Sequence, residues 1–436
     1  MKFDMVEAIL QIKYRMLQSK LFKDSFWAVF GNGFGNALML LAGILIARFL
    51  GKDLYGEYGV VKTTMFYIAS FATFGLGFTS TKYIASSIKE NPACLRSIVR
   101  SSMTITLLFS GLIAGLLLMF APLVARFLEE ENLVFPLRAL AIVIVFKAIT
   151  TTQIGILSGF KDFQHIAYNS LGSGLVMLAL CVPLTYFFGL KGSLLSLLLS
   201  QMFNAFINYF SVRKYVRVLS GQIRKPYTRE MLKFSLPVAL QESSFTICHW
   251  AAILLLTKLS SIGELGLYTA SVQWNSIILM IPTLLTNVVL SYLSSSANNE
   301  VQHKRNVRVM LLVNLVCTLI PFVVVYLLAD LIASFYGPTF SAMSGVLRIC
   351  TFSTILEATA SVFKSNLLAK GCPWLLFSLR CLRDCFLVVA VYIMLISTGG
   401  ENGAMMYSWA VLGASLLFLC LLLVSSYFLH QNKNDN

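Results

Sequence analysis

Long apolar runs separated by short polar segments follow one another from residue 26 to residue 428. A window of about 19 residues, which suits the thickness of a bilayer core, divides them into spans of about 20 residues. Continuous runs of this length predict α-helices, because strands of a membrane barrel would alternate over about 10 residues. The predicted spans are 26–47, 59–80, 101–121, 137–158, 167–188, 192–212, 235–256, 268–291, 309–329, 343–363, 374–396 and 404–428.

The composition agrees with a polytopic membrane protein and excludes a soluble cytosolic enzyme. Of the 436 residues, 57% are hydrophobic and only 12% are charged, whereas a soluble domain has about 25% charged residues. So few charges cannot cover the surface of a water-soluble globule of this length. The net charge of +15 would suggest nucleic acid as a partner of a soluble protein, but membrane topology explains it better, and no nucleic acid partner is predicted.

The basic residues predict the orientation of the spans. When both termini are placed in the cytoplasm, most Lys and Arg residues fall in inside segments, and the acidic run Glu129–Glu131 falls outside. This is the positive-inside bias of membrane proteins, and attraction to anionic membrane lipids is a by-product of it. The basic residues predicted in outside loops are Arg48, Lys52, Arg126, Arg138, Lys191 and Lys258.

A basic segment at mid-chain divides six spans from six. We expect a cytoplasmic amphipathic segment at 1–25, a first bundle at 26–212, a basic linker at 213–234, a second bundle at 235–428 and a tail at 429–436. A shift of 210 residues aligns Gly56-Glu57-Tyr58 with Gly266-Leu267-Tyr268. Because six is even, the two repeats have the same orientation, which places their pseudo-two-fold axis along the membrane normal. The predicted fold is an all-α membrane protein with about twelve helices in two parallel six-helix repeats around a central cavity.

The turn after the first span carries a recognisable motif. Leu45-Ile46-Ala47-Arg48-Phe49-Leu50-Gly51 is followed by Tyr55-Gly56-Glu57-Tyr58, and the seventh span opens with Lys233-Phe234-Ser235-Leu236-Pro237. With the length, the spans and the topology, these segments resemble Wzx-type polysaccharide flippases of the multidrug/oligosaccharidyl-lipid/polysaccharide exporter superfamily. The resemblance covers essentially the whole chain.

The resemblance implies an activity. Such a protein moves undecaprenyl-pyrophosphate-linked oligosaccharide units across the bacterial inner membrane by alternating access, coupled to an ion or proton gradient, for O-antigen or capsule assembly. It implies contact with membrane lipids and with the polymerase and chain-length machinery of the same pathway. The alternatives are a multidrug or organic-ion exporter, or a lipid II flippase, of the same superfamily. A membrane glycosyltransferase or polymerase would need catalytic acids on a sizeable outside loop, and the outside loops are short.

No enzyme chemistry is predicted from the motifs. The chain has no G-x-x-x-x-G-K-[ST] stretch that would bind nucleotide phosphates. It also has no His/Cys spacing typical of a metal site and no nucleophile–base pair. No cofactor is therefore expected. Gly31, Gly33 and Gly35 lie inside the first span, where close helix packing explains them.

Ionisable residues within the spans are the candidate site. Each costs about 2.5–3.5 kcal/mol at mid-membrane on insertion scales, so each should face a cavity or a partner. Arg380 and Arg383 share a helix face with Asp384, and one carboxylate cannot neutralise two guanidinium groups. The planar fork of arginine suits pyrophosphate oxygens. The substrate-binding candidates are Arg380, Arg383, Lys62, Lys147, Arg348 and Arg48.

Two ambiguities accompany this assignment. Lys62 and Arg348 lie one or two turns from the outer end of their spans, so both could instead extend their charged groups outward. Asp384 could be either a coupling group or a structural counter-ion of the arginines. The acidic residues placed within spans, and therefore the ion-coupling candidates, are Asp384, Glu242 and Glu357.

Overall fold

A computed structural model describes residues 20–73, 75–90, 94–127, 134–218, 228–283, 300–370 and 372–434 of the chain. Across these ranges the long regular elements are all α-helices. In chain order they are α1 (Lys20–Ala72), α2 (Leu76–Glu90), α3 (Leu95–Phe127), α4 (Val134–Gly159), α5 (Phe163–Val218), α6 (Thr228–Leu259), α7 (Ile262–Ile278), α8 (Glu300–Leu327), α9 (Ala329–Tyr336), α10 (Met343–Ala369), α11 (Pro373–Ser397) and α12 (Gly403–Asn434). A short 3₁₀ turn, Pro338–Phe340, joins α9 to α10.

Two of these helices are each two spans joined at a glycine. Straight helices of the 53 residues of α1 and the 56 residues of α5 would be roughly 80 Å long at about 1.5 Å per residue, far more than a bilayer. The chain bends at Gly51 (φ 71°) in α1 and at Gly189 (φ 54°) in α5. A positive φ is readily available only to glycine, so these two residues make the turns between spans.

Each predicted span contains a described helical segment, although residues 284–291 of the span 268–291 lie outside the described residues. Seven are long and apolar enough to cross a membrane, and two of those seven, Gly33–Met65 and Phe163–Arg217, each contain one of the glycine bends. The shorter apolar helix Ser244–Leu259, the helix α7 and the charged helix α11 provide the rest. The fold prediction of about twelve membrane helices is therefore confirmed.

Several boundaries differ from the prediction. The predicted span 59–80 is interrupted between α1 and α2 at Thr73 and Gly75. Some helices extend beyond the predicted spans, because hydropathy detects only the apolar part of a helix. The additional helical residues are the basic segment 81–90, the linker parts 213–218 and 228–234, and the tail as far as Asn434. Residues 1–19 of the amphipathic segment and 219–227 of the linker lie outside the described residues. The ranges of the two bundles stay a prediction.

The helices pack in two groups that meet along α1 and α7. In the N-terminal half, here α1–α5, α5 packs on α1 and on α4; in the C-terminal half, here α6–α12, α12 packs on α10 and on α11. The turns of both halves meet at one end, which we call the Gly51 end. There Gly51 faces Thr339, Phe49 contacts Tyr186, and Gly400 approaches the Leu259 carbonyl.

A reciprocal contact joins the two halves at the Gly51 end. A Cβ added to Gly56 would lie 1.9 Å from the Ile262 carbonyl oxygen, and one added to Gly266 would lie 2.2 Å from the Lys52 carbonyl oxygen. Residues 52 and 56 are offset from 262 and 266 by the 210 residues of the sequence repeat, so the contact lies on the pseudo-two-fold axis. The next pair along, Gly59 and Thr269, has the same offset and is in contact. We call these three contacts the glycine seal.

Candidate functional site

A cavity of about 570 Å³ lies between the helices of the C-terminal half, with one wall from α1. Its volume is within the range of small-molecule sites. Asn36 of α1 lines it together with His249 of α6, Asn275 of α7, Glu357 of α10 and Arg383 of α11. This main cavity therefore brings together side chains from both halves of the chain, and two of the predicted site residues, Arg383 and Glu357, line it.

Arg383 and Asp384 form a buried ion pair beside this cavity. The Arg383 Nε and Nη2 atoms donate to Asp384 Oδ1 at 2.8 and 2.5 Å, and Asp384 is only 1% exposed. The sequence left open whether Arg380 or Arg383 would be the counter-ion of Asp384, and the structure shows these two hydrogen bonds from Arg383. Adjacent residues do not face each other on a helix, so the long arginine side chain folds back along α11 to reach the carboxylate.

The aromatic ring of Phe245 on α6 holds the two arginines in place. The guanidinium carbons of Arg380 and Arg383 lie 5.8 and 5.6 Å from its centroid, within the range of cation–π attraction. His249, one turn along α6, packs on the same ring at 4.1 Å, and its Nε2 lies 3.8 Å from Asp384 Oδ1. A phenylalanine in an apolar helix gives no functional signal in the sequence, so this residue was not predicted.

Lys364 adds a third cation that the sequence analysis assigned to a cytoplasmic segment. The predicted span ended at residue 363, but α10 continues to Ala369 and the apolar part of that helix includes Lys364. It lies two turns from Glu357 on α10 and interacts electrostatically with Glu357, Arg380 and Arg383. The described cluster thus contains three cations, Arg380, Arg383 and Lys364, against the two carboxylates Asp384 and Glu357. One positive charge is left over.

The predicted cations Lys62 and Lys147 lie elsewhere in the structure. Lys62 donates from Nζ to Gln273 Oε1 at 3.2 Å, across the boundary between the halves. Lys147 lies half-buried in α4 and does not line the main cavity. Glu242 lies on α6, but its side chain is outside what the structure describes. The assignment of these three residues, like that of Arg380, Arg383, Asp384 and Glu357, to a substrate or coupling site stays a prediction.

Arg48 and Arg348 lie together at the Gly51 end, beside a second pocket of about 530 Å³. Arg48 is exposed and lines this pocket with Asp330. Arg348 donates from Nη2 to Asp330 Oδ2 at 2.7 Å, and hydrogen bonds from Ser344 and Arg348 lower the pKa of this exposed carboxyl group. Arg348 is therefore half-exposed and paired at the end of its span. This geometry agrees with the alternative that it extends outward.

Comparison with known proteins places this architecture in a family. The family model described as "Polysaccharide biosynthesis protein" matches residues 21–297. The chain belongs to this family. Stage V sporulation protein B of Bacillus subtilis (strain 168) is 25% identical over 197 residues, which are 43% of this chain and 38% of that protein. The match thus spans well under half the length of this relative.

Solved structures show the same fold. An inward-facing multidrug resistance MATE family transporter of the MOP superfamily has a TM-score of 0.78 at 14% identity, with 91% of this chain and 96% of that chain covered. The lipid II flippase MurJ in an inward closed conformation has a TM-score of 0.70 at 16% identity, with 94% and 88% covered. The resemblance that the sequence motifs indicated is confirmed for family and fold, and the chain is a multi-pass membrane protein with the fold of transporters rather than of enzymes.

Proposed function

We propose that this protein is a flippase for oligosaccharides linked to undecaprenyl pyrophosphate, and that it moves them across the bacterial inner membrane by alternating access. The observation that carries the proposal is the unbalanced positive charge beside the main cavity. Among the described residues of this cluster, the cations Arg380, Arg383 and Lys364 outnumber the carboxylates Asp384 and Glu357, and all five lie on the apolar helices α10 and α11. An uncompensated charge there is costly, so the cluster suits a protein that takes an anionic head group into this cavity.

The chemistry of the cluster favours a pyrophosphate over a single carboxylate. Arginine presents its donors in a planar fork that can bind two oxygens of one phosphate at once. Arg383 uses two of its donors on Asp384, and its remaining donors are available at the cavity wall. Asn36, Asn275 and Ser276 also line the cavity, and such amide and hydroxyl groups can bond to the hydroxyls of a sugar.

The predicted topology supports loading of the substrate from the cytoplasm. The positive-inside bias predicts that both termini are cytoplasmic and that the Gly51 end is outside. The glycine seal then closes the outer side, as the cavity of a flippase waiting for cytoplasmic substrate requires. Asp384, Glu357 and Glu242 are the candidates for coupling to an ion or proton gradient. The product would be O-antigen, capsule or a related glycan, passed to the polymerase and chain-length machinery of its pathway.

A lipid II flippase is the second candidate, because MurJ shares the fold over most of both chains. Lipid II also carries a pyrophosphate, so the charge cluster favours neither substrate over the other. An exporter of organic cations is disfavoured, since the part of α1 from Ser25 to Ala47 contains no carboxylate and the cluster beside the cavity is net positive.

Export of the native glycan in a deletion strain tests the proposal. Arg383→Lys keeps the charge but loses the fork, so export should fall; Arg383→Gln and an Arg380→Gln, Arg383→Gln double variant should lower it further at equal membrane protein level. Arg213→Gln, which removes an exposed arginine from the end of α5, is the matched control and should export normally. Full export by the double variant would show that these arginines do not hold the head group. Loss of cell-wall synthesis rather than of a surface glycan would identify lipid II as the substrate.

A further inference from the structure

The repeat symmetry breaks one turn below the glycine seal. Residues 59 and 269 are equivalent in the two halves and touch each other, but three residues further on the equivalent positions hold Lys62 in α1 and Val272 in α7. One half therefore places a cation at the boundary and the other does not. In the described part of the chain no carboxylate pairs with Lys62, whose ammonium group instead donates to Gln273 Oε1 at 3.2 Å.

Gln273 is held so that its oxygen faces the lysine. Its Nε2 donates to the Tyr336 hydroxyl group, which also accepts a hydrogen bond from Trp274 Nε1 at 3.1 Å. The Tyr336 hydroxyl hydrogen points to the Ala270 carbonyl oxygen at 3.5 Å. Because the amide nitrogen is engaged on this side, only the amide oxygen is left for Lys62. The Lys62–Gln273 bond joins the two halves, and opening of the Gly51 end must break it.

The bond also adjoins the main cavity. Val272, the residue before Gln273 on α7, lines the cavity. Gly43 of α1 packs against the same glutamine, and Asn36 of the cavity wall lies two turns along the same helix. Lys62 therefore bonds to a residue that lies between the glycine seal and the cavity wall.

We propose that the Lys62–Gln273 bond is the latch of the outer gate and that the anionic head group of the substrate releases it. This inference rests on the proposed function. A neutral amide oxygen attracts an ammonium group less strongly than a phosphate oxygen does, because the negative charge of the phosphate adds a Coulomb attraction between two ions. A pyrophosphate near the top of the cavity draws Lys62 away from Gln273. The seal then keeps only its glycine contacts, and the gate opens when cargo is present.

Amide hydrogen exchange of the full-length protein in lipid nanodiscs tests the latch. The probes are undecaprenyl pyrophosphate and the uncharged undecaprenol, whose chain is the same, and native mass spectrometry reports whether each lipid is bound. Undecaprenyl pyrophosphate should raise exchange several-fold in the segments 52–62 and 262–273, whereas undecaprenol should leave it unchanged. Absence of binding by undecaprenyl pyrophosphate would overturn the proposed function itself.

Variants separate a charge-sensing latch from a merely structural contact. Lys62→Gln keeps a hydrogen bond to Gln273 but has no charge, so its basal exchange should stay low and the response to pyrophosphate should disappear. Gln273→Glu converts the latch into an ion pair and should require more lipid for the same response. Gly56→Ala forces the seal apart and should exchange fast with either lipid. Lys214→Gln, at the far end of α5, is the control. A normal response in Lys62→Gln, or no response in the wild-type protein despite bound pyrophosphate lipid, would overturn the latch.

Discussion

The two halves of the molecule descend from one repeat pattern but bury different polar groups. In the N-terminal half the buried polar side chains that the structure describes are hydroxyl and amide groups, and some of them pair with one another, as Asn169 does with Asn208 and Ser211, and Thr106 with Thr152. The C-terminal half buries the carboxylate of Asp384 against Arg383. Hydrogen bonds between neutral side chains hold membrane helices together at a small free-energy cost. Ionised side chains inside a membrane protein cost more free energy, and they typically mark a substrate or ion site.

This difference suggests a division of labour. The proposed function assigns head-group binding to the C-terminal half, and the N-terminal half, whose described fully buried polar groups are uncharged, would move against it. The halves touch through the glycine seal on the pseudo-two-fold axis, where the repeats are equivalent, and diverge at Lys62 and in the charge cluster of α10 and α11. The two repeats therefore differ in their charged residues on the cavity side of the glycine seal.

The largest expected effect comes from breaking the ion pair of the C-terminal half. Asp384→Ala leaves the Arg383 guanidinium without its buried partner, a change that costs about 3–5 kcal/mol. The apparent melting temperature in nanodiscs should fall sharply. An Arg383→Met, Asp384→Leu double variant removes both charges and should recover most of that stability, although it should not transport. A single variant as stable as the wild-type protein would show that the pair is not needed for the fold.

A smaller effect is expected from Lys364, which lies further from the cavity wall. Two unit charges about 8 Å apart interact by roughly 2 kcal/mol at an effective dielectric constant of about 20. Lys364→Gln should therefore weaken binding of undecaprenyl pyrophosphate about thirtyfold, equivalent to ~2 kcal/mol. Lys370→Gln, on the exposed end of the same helix, is the matched control and should bind almost normally. Equal affinities of the two variants would remove Lys364 from the site.

In the N-terminal half the corresponding change should alter stability alone. Asn208→Ala removes the acceptor of the 2.9 Å bond from Asn169, and such interhelical bonds are worth about 0.6–1.7 kcal/mol in membranes. A small decrease in melting temperature with unchanged affinity for undecaprenyl pyrophosphate is the expected result. Weakened lipid binding would instead place the N-terminal half in the head-group site.

The smallest effect concerns Asp162, in the turn between α4 and α5. Burial raises the pKa of this carboxyl group, but hydrogen bonds from Tyr215 and His165 outweigh it, so that the pKa lies below its ordinary value. A lowered pKa stabilises the fold above the unfolded value of about 3.9, and this contribution is lost as the pH falls through the folded value. Asp162→Asn should be slightly less stable than wild type at pH 7 and equally stable at acidic pH. A difference that does not depend on pH would contradict this.

Much of the fold could be predicted because long apolar runs and basic loops are strong signals. The glycine bend at Gly51 coincides with the recognised motif, and the 210-residue repeat predicted the equivalence of Gly56 and Gly266 that the seal displays. Arg383 was found because an arginine in an apolar span is costly and therefore rare.

The rest of the site depends on information that hydropathy does not contain. Lys364 falls one residue beyond the predicted end of its span, so it was counted as a loop residue, although α10 continues past it. Phe245 acts through its position beside two arginines, which only the packing of α6 on α11 creates. Arg48 and Arg348 lie at the Gly51 end, where the spans and the positive-inside count had placed them, so their charge alone made them candidates for the substrate site.

The central claim is that the C-terminal charge cluster binds the pyrophosphate, and lipid affinity measures this most directly. In nanodiscs, the wild-type protein should prefer undecaprenyl pyrophosphate over undecaprenol by at least about tenfold, or ~1.4 kcal/mol. Arg383→Gln should lose that preference while still binding both lipids through the shared chain, and Arg213→Gln should keep it. A preference that is undiminished in Arg383→Gln would contradict the claim.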